Sequence, residues 1–101
     1  MEIIKTLKDK TTVLKLVGRL DTTTAPELNA ELKQLFSEGI NDIEMDFEQL
    51  EYISSAGLRE LLYAQKNITD EGKFVIRNVN DVIMEVLEIT GFSDILTIEN
   101  N

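Results

Sequence analysis

The chain contains no cysteine and no histidine. The first absence excludes disulfides, thiol nucleophiles and thiolate metal sites, and it suits a reducing compartment. The second removes the usual general base near neutral pH and the commonest transition-metal ligand, so a Ser-His-Asp triad cannot be assembled here. Basic residues are also scarce: 10 Lys and Arg stand against 19 Asp and Glu, a net charge of −9. Such a surface repels nucleic-acid phosphates and anionic bilayers, and it favours a protein partner with a basic docking face. No run approaches the roughly 20 apolar residues that span a membrane. Residues 1–10, MEIIKTLKDK, lack the layout of a signal peptide. The expectation is a soluble, cytoplasmic protein without resident cofactor, metal or catalytic residues, which does not bind nucleic acid and does not insert directly into a membrane.

What is present fits one α/β domain over residues 1–101. The length is near the common domain size, and 43% hydrophobic residues suffice for one core. Residues 3–7 and 12–17 are short aliphatic, β-branched runs separated by polar residues, the pattern of a hairpin. Thr24 followed by Glu27 matches a capping box, with Pro26 in the first turn. The helix it opens has Ala25, Leu28, Leu32, Leu35 and Phe36 on one face and a stop at Gly39. Residues 42–47 alternate strictly: Ile43, Met45 and Phe47 point one way, Asp42, Glu44 and Asp46 the other. A strand with one wet face implies helices mainly on one side of the sheet. The three carboxylates lack the clustered ligands of a calcium loop, so a solvated face is expected.

A second helix follows, with Leu58, Leu61, Leu62 and Ile68 on its stripe up to Gly72. Residues 73–77 read as a buried strand. Asn80 or Asp81 caps a last helix with Val82, Ile83, Val86, Leu87 and Ile89 on its face and Met84 off it. Residues 92–98 form a short tail that docks on the core. The order is ββαβαβα: a mixed sheet of about four to five strands with parallel crossovers in its second half.

The chemistry concentrates in residues 50–62, LEYISSAGLRELL. Ser54 or Ser55 suits the N-cap of the second helix. One cap needs one serine, however, and Gly57 is a poor helix former. A glycine in the first turn leaves room for another molecule to approach, and a helix N-terminus favours a phosphate. Arg59, one turn on, could answer such a phosphate or pair with Glu60 or Glu51.

Ile53-Ser54-Ser55-Ala56-Gly57-Leu58 after an alternating strand resembles the signature of bacterial anti-sigma factor antagonists, the STAS domains. Gly18-Arg19-Leu20-Asp21 and Ala25-Pro26-Glu27-Leu28 resemble the family's loop and first helix, so the likeness covers essentially the whole chain. The family's usual text is Asp-Ser-Ser/Thr-Gly-Leu, with a phosphate accepted two places before the glycine. The resemblance therefore implies Ser55 as the acceptor, with Ser54 where an Asp is usual and Ala56 where a hydroxyl is usual. It implies a partner surface of Asp21, Thr22, Thr23, Ser54, Ser55, Ala56, Gly57 and Arg59. The implied partners are an anti-sigma factor serine kinase and a serine phosphatase. An alternative is a STAS subunit of a sensory or membrane-transport complex without phosphorylation. The oligomeric state is not legible in the sequence.

Overall fold

The computed structural model describes residues 1–100. The elements run β1 (Glu2–Lys8), β2 (Thr11–Leu20), α1 (Ala25–Ser37), β3 (Asp42–Asp46), β4 (Leu50–Ile53), α2 (Ser55–Asn67), β5 (Lys73–Arg77), α3 (Asp81–Ile89), a 3-10 turn (Phe92–Asp94) and β6 (Thr97–Glu99). Along the sheet the order is β1-β2-β3-β5-β6, and β4 joins β2. Only the β1–β2 hairpin is antiparallel; the other strand pairs are parallel.

The period-2 pattern does what it should. In β2, Thr12, Leu14 and Leu16 are buried while Val13, Lys15 and Val17 are half-buried, and β3 buries Ile43 and Met45 in the same way. The buried side meets the apolar stripes of the helices, namely Ala25, Leu28, Leu32 and Leu35 of α1 and Leu58, Leu61 and Ala64 of α2. One continuous core results. On the other face Glu44 accepts a hydrogen bond from Arg77 (2.8 Å), Asp42 from Thr11 (3.3 Å) and Asp46 from Asn78 (3.0 Å). The carboxylate row is thus a polar sheet face with named partners.

Among the described residues six strands form, against four to five expected. The additional strand that matters is β4. Ten residues long, β2 cannot keep one neighbour: its residues Thr12–Lys15 pair with Ile43–Asp46 of β3, and after a bulge at Gly18 its end pairs with β4, Arg19 opposite Tyr52 and Leu20 opposite Ile53. Gly18 sits at φ +105°, a conformation that side chains resist, and its N–H reaches the Gln49 carbonyl (3.0 Å). The sixth strand is the expected tail, which docks as β6 beside β5.

Two local expectations are corrected. Thr24 makes no capping bond to the helix it precedes; its hydroxyl instead donates to the Arg19 carbonyl (2.8 Å) and accepts the Asp21 N–H (2.8 Å). In α3 only Ile83 and Leu87 are fully buried, Met84 and Val86 pack at the core's margin, and Val82 and Ile89 are exposed. Asn80 sets this rotation by accepting the Ile83 N–H (2.8 Å) and donating to the Leu50 carbonyl (3.0 Å). Six apolar residues in a nine-residue helix exceed what one face can bury. Helix α2 also ends at Asn67, short of Gly72. No helix among the described residues is long and apolar enough to cross a membrane.

Candidate phosphorylation and docking site

The parallel strands β2 and β4 end side by side at Leu20 and Ile53. From there the first strand turns through residues 21–24 into α1 and the second passes through Ser54 into α2. The Ser54 N–H donates to the Leu20 carbonyl (2.9 Å), which ties the two turns together. Two helix N-termini and two polar loops therefore share the carboxyl edge of the sheet, where parallel sheets usually carry their ligands.

Asp21 organises the first loop. One of its carboxylate oxygens accepts the Thr23 N–H (3.0 Å), the Thr23 hydroxyl (2.8 Å) and the Thr24 N–H (3.2 Å). That is the bonding of an N-cap to the second and third residues after it, so Asp21 caps a turn that runs into α1. The other oxygen lies 3.8 Å from the Arg19 Nε. Its pKa is held below the ordinary carboxylate value chiefly by the Thr23 hydroxyl; desolvation opposes this, and the Thr23 and Thr24 N–H groups and the Thr24 hydroxyl lower it further. Thr23 is committed to this turn, whereas Thr22 is exposed beside it.

The two serines separate in the second loop. Ser54 is extended at φ −101°, ψ 176°, and its side chain accepts the Gly57 N–H (3.4 Å), so Ser54 is the N-cap of α2. Ser55 occupies the first helical position and is exposed; among the described residues no hydrogen bond engages its hydroxyl. It stands in the first turn, where N–H groups lack helical partners, an environment that stabilises a bound or covalent phosphate.

The remaining predicted residues divide between surface and core. Arg59 is exposed, four residues after Ser55 on the same helix face, and forms no ion pair with a described residue. Glu60 is instead taken by Asn29 of α1 (2.7 Å). Ala56 packs at the margin of the core. Gly57 is buried, which corrects the idea that it leaves room for a partner. A β-carbon there would lie 2.7 Å from Leu20 Cγ and 2.8 Å from Ile53 Cγ1. The missing side chain lets α2 seat on the ends of β2 and β4.

Two surface residues at this edge were not singled out from the sequence. The Arg19 guanidinium stacks over the Tyr52 ring at 4.1 Å, and both are exposed. The Arg19–Tyr52 register across β2 and β4 creates this pair, and only knowledge of β4 would have revealed it. Polar and aromatic side chains are therefore exposed together at this edge. A cleft of about 530 Å³ runs along β3, β5 and β6 from Asp42 and Lys73 to Arg77 and Glu99, and its lining includes none of these residues.

A model of the STAS domain matches residues 2–101. The anti-sigma-B factor antagonist of Staphylococcus aureus is 33% identical over 97 residues, covering 95% of this chain and 90% of that protein. Among solved structures, an anti-sigma factor antagonist from Mycobacterium paratuberculosis superposes with a TM-score of 0.89 at 18% identity, over 96% of this chain and 83% of the other. The anti-sigma factor antagonist SpoIIAA of Bacillus shares the fold at 18% identity in its unphosphorylated form (TM-score 0.77, 99% and 89% covered) and its phosphorylated form (0.78, 99% and 91% covered). With a family model that matches nearly the whole chain and a relative 33% identical along almost all of it, the chain belongs to the STAS domain family.

Proposed function

We propose that this protein is an anti-sigma factor antagonist that works by partner switching on Ser55. Unphosphorylated, it binds an anti-sigma factor that is also a serine kinase, and the sigma factor is released. The kinase then transfers the γ-phosphate of ATP to the Ser55 oxygen, with ADP leaving, and a separate serine phosphatase hydrolyses the ester. The observation that carries this is the division of labour at the start of α2. Ser54 is occupied with the cap, while Ser55 is exposed and free of hydrogen bonds to described residues. The name of the Staphylococcus relative and the two forms of SpoIIAA support it.

The switch is electrostatic and local. A phosphoserine adds about −1.5 to −2 charges and three acceptor oxygens. Within the domain, the N-terminus of α2 and Arg59 tolerate that charge. In a close interface that already meets Asp21 and Glu51, it must be desolvated beside like charge, which weakens docking. A loss of only about 1.4 kcal/mol changes affinity tenfold. Arg19, Tyr52, Asp21 and Thr22 supply the rest of the docking surface, since stacked Arg and Tyr side chains are the residue types that anchor interfaces.

Incubation with the cognate kinase and Mg-ATP, followed by phosphosite mapping by mass spectrometry, tests this. One phosphate on Ser55, abolished by Ser55→Ala, is expected. A phosphate on Ser54, or none in a complex that nevertheless forms, would overturn it.

A further inference from the structure

The outer strand β1 has one side paired with β2 and the other side open. Its register fixes its faces. Ile3, Lys5 and Leu7 stand opposite Leu16, Leu14 and Thr12 on the helix side, and Lys5 confirms this by meeting Glu31 of α1 at 3.5 Å. Glu2, Ile4, Thr6 and Lys8 point to the other face. Ile4 and Leu7 are among the few large apolar side chains left exposed, Leu7 at 73%. A seven-residue edge with open N–H and C=O groups and exposed apolar side chains is a template for another strand.

The sequence of β1, EIIKTLK, complements itself when reversed. If two copies run antiparallel about Lys5, Glu2 faces Lys8 twice, Ile3 faces Leu7 twice and Ile4 faces Thr6 twice. Paired residues all have the same parity, so outward-pointing backbone groups meet outward-pointing ones, and each side chain stays on its own face. A one-residue slip would set helix-side residues against open-face residues. A further shift in either direction leaves only residues 2–6 or 4–8 in contact and removes both Glu–Lys pairs.

We propose that β1 is a self-association edge through which two copies join, antiparallel and centred on Lys5, into one continuous sheet. Lys5 meets its own copy at the axis, but each is already paired with Glu31 on the α1 of its own chain. The β1–β2 hairpin carries Lys5, Lys8, Lys10, Lys15 and Arg19 against Glu2 and Asp9, so two molecules of net charge −9 approach here through a basic region. On β2, β1 lies on the side away from β3 and β4, which leaves the Ser55 loop uncovered. Dimerisation and docking at Ser55 are therefore separate properties that succeed or fail independently.

Sedimentation of the full chain from micromolar to millimolar concentration tests this. A monomer–dimer equilibrium is expected. Glu2→Lys and Lys8→Glu, both at exposed positions, should each weaken it about tenfold, because two cross-strand ion pairs become two like-charge pairs. The double swap, Glu2→Lys with Lys8→Glu, should restore it. A chain that stays monomeric at millimolar concentration would overturn the proposal. So would a dimer indifferent to the single swaps, or one that the double swap does not rescue.

Discussion

Two adjacent serines with the same chemistry meet different surroundings: the Ser54 oxygen turns to the Gly57 N–H at 3.4 Å, while the Ser55 hydroxyl faces solvent. A serine at 54 suffices for the cap, since Ser and Asp cap helices about equally well. The usual carboxylate at this place is therefore dispensable for folding. Asp21 is the ionised group that shapes this edge. Because its carboxyl ionises at lower pH in the folded chain, its stabilisation is complete above the unfolded value, near about 4. That stabilisation is lost as pH falls through the lower folded value, so Asp21 stays charged throughout the neutral range. Carboxyl titration by NMR should find Asp21 below the ordinary value, and Thr23→Val should raise it by removing the hydroxyl that contributes most. A wild-type Asp21 titrating at the ordinary value would contradict the geometry. Sequence alone pointed to Thr24 as the cap because its spacing from Glu27 fits a capping box. The competing acceptor, the Arg19 carbonyl, is supplied by the bulged end of β2 and has no local signature.

The element that builds the site is β4, and it is the one the sequence disguised. Its burial runs Leu50 in, Glu51 and Tyr52 out, Ile53 in, which is neither period 2 nor period 3.6. It is a strand because the Gly18 bulge redirects β2 towards it. The long stripes of α1 and the strict alternation of β3 were legible, since each repeats its period several times. The face of α3 was not: too many apolar residues on a short helix left its rotation to the Asn80 contacts. Gly57 illustrates the same limit, because the sequence showed a glycine but not what its absent β-carbon would strike. Gly57→Ala should destabilise the chain by about 1–3 kcal/mol, as overpacking does, and shift amide resonances at Leu20 and Ile53. Urea unfolding and amide spectra check this. Unchanged stability and spectra would mean that α2 is not seated on those two side chains.

Across the whole molecule, the parallel strands gather both loops at one end, above a single core among the described residues. Substituting a buried leucine such as Leu61 would alter stability without touching this surface, whereas a phosphate on Ser55 alters the surface without touching the core. Under the proposed function, that separation is what lets one modification act as a switch without refolding. The family was legible in the two motifs because each stands where the chain turns from strand to helix, and such turns constrain residue type strongly. The most direct measurement is calorimetry of the cognate anti-sigma kinase with the unphosphorylated chain and with the chain phosphorylated on Ser55. The expected result is at least a tenfold loss of affinity on phosphorylation, with amide shifts confined to the neighbours of Ser55. Equal affinity for the two forms would contradict the account.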